Sequence, residues 1–141
     1  MNDVARASAR SSIDALIARF FAAFDNRGGA TPGLDAIASC FTNKATIVRR
    51  SNAGADIFTV EEFAHPRIAL LTDGALRDFH EWETEATTEV FDGIATRISR
   101  YAKSGLLEGA EYAGTGTKCF QLVECDSDWL IAALAWVDDP A

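Results

Sequence analysis

Apolar residues recur at Ile13, Leu16, Ile17, Phe20 and Phe24, the spacing of one face of an amphipathic helix. Ser11-x-x-Asp14 has the form of a capping box ahead of that face. The helix is therefore predicted to start at Ser11, with residues 1–11 as a flexible tail and 12–141 as one domain. Gly28 and Gly29 supply its stop. Thr31-Pro32 opens a second, short helix, with Thr as cap, Pro at the first helical position, and Leu34, Ile37, Ala38 and Phe41 facing inward. Ala45 to Arg50 reads as a strand and Ile57-Phe58 as a very short one. Thr59-x-x-Glu62 is another capping box, starting a helix that runs to about Leu71. Pro66 lies inside that helix and removes one backbone hydrogen bond, which predicts a kink or a late start.

From Leu76 onward the pattern is one of long strands. Phe91-Asp92-Gly93-Ile94 is the clearest local signal, because a two-residue hairpin turn needs positive φ at both positions and Asp-Gly tolerates it. The turn implies a register that pairs Thr88 with Arg97, Glu85 with Arg100 and Thr84 with Tyr101. Alternation along the strands then puts Glu81, Glu83, Glu85, Glu89 and Arg100 on a wet face. The other face holds Asp78, His80, Trp82, Thr84, Ala86 and Val90 opposite Ala95, Arg97, Ser99, Tyr101 and Lys103. Apolar bodies mixed with single polar groups are what a ligand pocket lining looks like. A glycine-bearing loop, Leu106–Gly114, leads to strands Thr117–Cys125 and Trp129–Val137. The turn between them, Asp126–Asp128, holds two or three residues, so Lys118 and Gln121 take no definite face. Trp129–Val137 is apolar at both parities, and a sheet with helices on one side should turn polar on the other. A partner subunit covering that second face makes the chain a homodimer.

Composition narrows the function classes. The chain carries a net charge of -8, which repels a nucleic-acid groove or an anionic membrane over a Debye length of about 10 Å. Arg49-Arg50 is the local exception, read either as a solvated strand end or as a seat for an anionic group. The segment Ile13–Phe21 is interrupted by Asp14 and Arg19, so it reads as neither a signal peptide nor a membrane span. Cys40, Cys119 and Cys125 are an odd set without C-x-x-C spacing, and Cys119 and Cys125 on one strand lie about 20 Å apart. They read as reduced, mostly buried thiols of a cytoplasmic protein. The two histidines and three cysteines show no ligand spacing, so no metal and no cofactor is expected.

Helix, short helix, strand, helix and then four long antiparallel strands, closed by Trp129-x-Ile131 and Leu134-x-Trp136, resembles the nuclear transport factor 2-like superfamily, and the SnoaL-like members in particular. The resemblance spans Ser12 to Asp138. It implies an α+β cone: N-terminal helices packed on a curved, mainly antiparallel sheet, an apolar cavity at the open end, and frequent sheet-to-sheet homodimers. It implies little about chemistry, since members include isomerases, dehydratases, epoxide hydrolases, binders and adaptors. Ketosteroid-isomerase-like members use a first-helix tyrosine and a carboxylate after the first strand. This chain has Phe20 and Phe24, and Val48, Arg49 and Arg50, at those places. Asp78-x-His80 is similar to the histidine–aspartate pair of dehydratase-like members, and Asp78 with Arg97 to part of the Asp-Arg-Asp set of epoxide-hydrolase-like ones.

The expected ligand is a small apolar or amphipathic molecule, lined by Phe20, Phe24, Trp82, Thr84, Arg97 and Tyr101. As an enzyme, the chain would use His80 as base with Asp78 and Tyr101 assisting, since an imidazole titrates near 6.5. The same cavity serves a dimeric, non-catalytic binding module, and the departures at Phe20, Phe24 and Val48–Arg50 favour that reading. A third is a protein-interaction adaptor using the apolar last strand. Arg97 on a partly apolar face needs a partner, either an anionic ligand or an acidic side chain from a helix.

Overall fold

Asn2, not Ser11, begins the first helix. A computed structural model describes residues 1–141, and in it α1 spans Asp3–Ala22, with the Asn2 side chain accepting the Ala5 N–H at 2.8 Å. Asn is a preferred N-cap, Asp3 sits in the first turn where the helix dipole favours it, and the Ala/Arg-rich stretch propagates well. Ser11-x-x-Asp14 is thus mid-helix. Ala9 is buried in line with Ile13, Leu16, Ile17 and Phe20, extending the apolar face by a turn. The chain leaves α1 at Ala23. Gly28 adopts φ 65 in a short 3-10 turn, Arg27–Gly29.

The second helix, α2, is Leu34–Ala38, capped by Gly33 rather than Thr31, and Ile37 is its one fully buried residue. The third, α3, is Val60–Thr72, and its capping box is formed as the sequence implies. Glu62 N–H donates to Thr59 Oγ1 at 3.1 Å and Thr59 N–H to Glu62 Oε1 at 2.9 Å. Pro66 lies inside α3, which starts on time and continues through it. No helix is long and apolar enough to cross a membrane.

Three helices pack on one six-stranded sheet, β1 Phe41–Ser51, β2 Gly54–Phe58, β3 Leu76–Val90, β4 Ile94–Leu107, β5 Ala110–Cys125 and β6 Asp128–Asp138. The strand order is β2-β1-β6-β5-β4-β3, antiparallel except for the parallel β1–β6 pair. The expected α+β class, with helices on a mainly antiparallel sheet, holds. The expected loop at Leu106–Gly114 does not. A tight turn at Glu108-Gly109, both at positive φ, passes directly into β5.

The Asp92-Gly93 turn sets the register near it: Val90 faces Ala95, Thr88 faces Arg97, and Glu85 faces Arg100. A bulge between Glu83 and Glu85 then places Glu83, not Thr84, opposite Tyr101, and a second lies between Arg77 and His80. One extra residue swaps the faces of everything beyond it. Glu81 and Glu83 therefore turn toward the helices, while His80 and Trp82 fall opposite Ser104 and Ala102, in a groove along α1 and apart from the Phe20–Phe24 side. In β6 the register shifts opposite Gln121/Leu122, so Trp129, Ile131, Leu134 and Trp136 are all buried on one side. That shift explains why the strand reads apolar at both parities. Of the cysteines, Cys40 is buried and Cys119 exposed, and all three are free. Burial raises the Cys40 thiol above its ordinary pKa.

Candidate functional site

Between α1, α3 and the inner face of the sheet lies a cavity of about 300 Å³. Phe20 of α1 and Phe24, just past the end of that helix, reach it, and α3 brings Phe63, Arg67 and Leu71, which follow one another at i, i+4 and i+8. The sheet contributes Phe79 and Glu81 from β3, Lys103 from β4, Tyr112 and Lys118 from β5, and Trp136 and Asp138 from β6. Arg49 and Leu70 line it as well. Rings meet edge to face across it: Phe24 with Phe63 at 5.9 Å and Phe63 with Trp136 at 5.5 Å. The resemblance implies an apolar cavity. This one has aromatic walls and six charged side chains, four of them basic.

Arg67 has no carboxylate partner. Its guanidinium lies 4.2 Å from the Phe63 ring centre and 5.1 Å from that of Trp136, and donates to the Phe63 carbonyl at 2.8 Å. Burial, and then repulsion from Arg49, pushes it down to about 10, which leaves it charged at neutral pH. Lys118 is buried at 5% exposure. Its ammonium sits 4.2 Å from the Tyr101 ring and 5.2 Å from the Trp136 ring, with Glu81 Oε2 at 3.6 Å. Burial pushes Lys118 below the usual lysine range, and Glu81 and Asp138 offset part of it. The two-residue turn Asp126-Ser127 fixes the face of Lys118 opposite Ser99 and Trp136, inside, and leaves Gln121 exposed outside.

A polar relay flanks the cavity. Tyr101 donates to Asp138, whose other oxygen receives Lys103 Nζ at 3.1 Å. Gly116 makes this possible, because a β-carbon there would collide with the Tyr101 hydroxyl. Burial, reinforced by Asp138, raises the phenol far above its usual range. Burial works against Asp138 as a carboxylate, but Tyr101 and Lys103 outweigh it and keep it ionised below its ordinary value.

The sequence-predicted residues are divided by this geometry. Phe20 and Phe24 line the cavity. Tyr101 is fully buried behind Lys118 with its hydroxyl committed to Asp138. Trp82 is 39% exposed and stacks on His80 at 4.3 Å, outside. Asp78 is exposed at φ 49 and makes no hydrogen bond to His80, and Thr84 is exposed in the bulge. The expected trio His80, Asp78 and Tyr101 is thus not assembled. Arg97 is buried and fully matched. Glu83 receives it at 2.5 and 3.1 Å, Asp14 of α1 at 2.6 Å and Thr88 at 3.1 Å. Burial opposes its charge, but Glu83 and Asp14 more than compensate and hold it above the ordinary arginine value. Glu83 and Thr88 of β3 together with Asp14 of α1, not a ligand, satisfy it.

Sequence reasoning missed Arg67, Glu81 and Lys118 as site residues. The first was readable, since Phe63, Arg67 and Leu71 share a helical face. Glu81 was not, because nothing in the β3 sequence marks its bulges.

Together, these elements define an α+β cone whose helices and curved sheet enclose one mixed aromatic and charged cavity. No protein-family model matches the chain, and no curated protein matches it. Solved structures do. A protein of unknown function with a cystatin-like fold from Nostoc punctiforme superposes with a TM-score of 0.70 at 17% identity, over 94% of this chain and 92% of that one. A nuclear transport factor 2-like superfamily protein from Salmonella enterica gives 0.77 at 10%, over 96% and 94%. The hexachlorocyclohexane dehydrochlorinase LinA-type3 from Novosphingobium barchaimii gives 0.74 at 17%, over 99% and 92%. The chain has the cystatin-like fold of the nuclear transport factor 2-like proteins.

Proposed function

We propose that this protein is a dimeric small-molecule-binding domain whose cavity takes an amphipathic acid, with an apolar or aromatic body and an anionic group. One observation carries the reading: Arg67 lines an aromatic cavity and has no carboxylate partner, in a chain whose net charge is -8. A half-buried guanidinium set against aromatic rings gains from an anion that meets it, and its planar fork suits a carboxylate. Small aromatic acids should raise the melting temperature of the protein, by roughly 2.7 kcal/mol of stabilisation at a hundred times the dissociation constant. Arg67→Gln should abolish most of that shift, whereas neutral analogues of the same shape should be less affected. Equal shifts in wild type and Arg67→Gln would remove the anion site.

A second reading, a lyase, isomerase or hydrolase, is favoured by the Glu81–Lys118 pair inside the same cavity. Two titratable groups set against aromatic walls are a proton donor and acceptor in reach of a bound molecule. That a dehydrochlorinase has this fold is in keeping with chemistry in such a cavity. The catalytic residues in this reading are Lys118 and Glu81, in place of His80 and Asp78.

A further inference from the structure

Lys118 is the one cavity cation set up to lose its proton. Lys103 is held at 3.1 Å by Asp138, and Arg67 is a guanidinium, whereas Lys118 Nζ makes no hydrogen bond to any protein group. Aromatic faces of Tyr101, Trp136 and Phe20 surround it at 4.2, 5.2 and 6.0 Å. The charged groups facing it are Glu81 from β3, Lys103 from β4, Asp138 from β6 and Arg67 from α3. Desolvation penalises its charge most, Glu81 and Asp138 offset part of that, and Lys103 and Arg67 repel the charge. A desolvated lysine amine set among aromatic rings next to other cations is an activated nucleophile.

We propose that Lys118 forms an imine with a carbonyl compound bound in the cavity, and that the substrate class is an amphipathic aldehyde or ketone carrying a carboxylate. This rests on the anionic-ligand reading, since Arg67 would hold the carboxylate while the carbonyl meets Lys118. Both cations lie beside the Trp136 ring, at 5.1 and 5.2 Å, so a single small molecule can address the two. The steps balance without any redox partner. The Lys118 ammonium passes a proton to Glu81, and the free amine adds to the carbonyl carbon, forming C–N as the C=O π pair moves to oxygen. That oxygen takes a proton from the new ammonium to give the carbinolamine. Glu81 returns its proton to the hydroxyl, which leaves as water while the nitrogen lone pair closes C=N. The resulting iminium cation is left beside the Glu81 carboxylate.

The chain has three lysines, Lys44, Lys103 and Lys118, so labelling is readily mapped. The wild-type protein is incubated at pH 7 with 4-formylbenzoate and cyanoborohydride, and the reduced adduct is located by peptide mass. Lys118 should be labelled at least about tenfold faster than the exposed Lys44, because a carboxylate held at Arg67 keeps the aldehyde carbon beside the Lys118 amine and makes the addition effectively intramolecular. Benzoate, which has no carbonyl, should slow labelling of Lys118 and leave Lys44 unchanged. Lys118→Arg should remove the adduct with the fold intact by circular dichroism. Labelling led by Lys44 or the N-terminal amine would overturn the proposal. If benzoate still raised the melting temperature in that case, the binding reading would survive alone. If it did not, both would fall.

Discussion

Two side chains far apart in sequence illustrate what single residues do here. Asn26 is a clamp: its Nδ2 donates to the Leu71 and Leu76 carbonyls at 3.0 and 2.7 Å, and its Oδ1 accepts the Phe79 N–H at 2.7 Å. It thereby ties the end of α3 to the start of β3, and so places Leu71 and Phe79 in the cavity wall. Asn26→Ala leaves three partly buried backbone groups unmatched and should cost about 2 kcal/mol in chemical denaturation. Arg97 makes the complementary case. Its own side chain is buried while Asp14 is 66% exposed, so Arg97→Gln leaves the Glu83 carboxylate with only the Ser99 hydroxyl whereas Asp14→Asn removes a solvated partner. Urea melts should show a loss of about 3 kcal/mol for the first and under about 1 kcal/mol for the second. Similar losses in both would mean that the exposed partner carries the pair.

At the scale of elements, the β3–β4 hairpin decides which side chains reach the cavity. Gly93 sits at φ 77 with open space where a β-carbon would go, so a substitution there tests backbone strain alone. Gly93→Val should destabilise by more than about 1 kcal/mol, read from the shift of the denaturation midpoint, because a β-branched residue resists positive φ. The turn was legible from Asp92-Gly93, and so was the register up to Glu85. The faces beyond Glu83 were not, since a bulge is selected by how a strand must bend over the helices it covers. That is why Trp82 and His80 were assigned to the pocket and Glu81 to solvent, each by one residue of slip. Capping shows the same limit. Thr59-x-x-Glu62 was readable because both halves of the box are local, whereas Ser11-x-x-Asp14 matched the pattern inside a helix that Asn2 had already started.

The whole molecule presents a second feature, on the side of the sheet away from the helices. Ile94, Val123 and Leu130 form one row across β4, β5 and β6, and Ile98, Cys119 and Ala135 form another. Ile98 is 53% exposed and Val137 41%. The register shift in β6 turned Leu134 and Trp136 inward, so the case for a partner now stands on these rows. Light scattering at micromolar concentration should give a mass near twice 15.2 kDa, and Ile98→Glu should return it to that of one chain, because a charge in an apolar interface is left unpaired. A monomeric wild type would remove the dimer.

Local chemistry was enough to establish the class of fold. Helical spacing from Ile13 to Phe24, the Thr59 cap, the Asp92-Gly93 turn and the long alternating strands each depend on neighbours a few residues away, and they agree with one another. That spacing put Phe20 on the buried face of α1, whereas Phe24 lines the same cavity from beyond the helix end. The chemistry of the site was decided only in three dimensions. Whether Arg97 meets a ligand or Asp14 depends on how α1 lies across β4. Whether Lys118 is buried depends on the length of the β5–β6 turn, and whether Glu81 joins it depends on one bulge, between Glu83 and Glu85, in an edge strand. Side chains alternate with a period of two, so one inserted residue, invisible to any local rule, exchanges the cavity face for the solvent face.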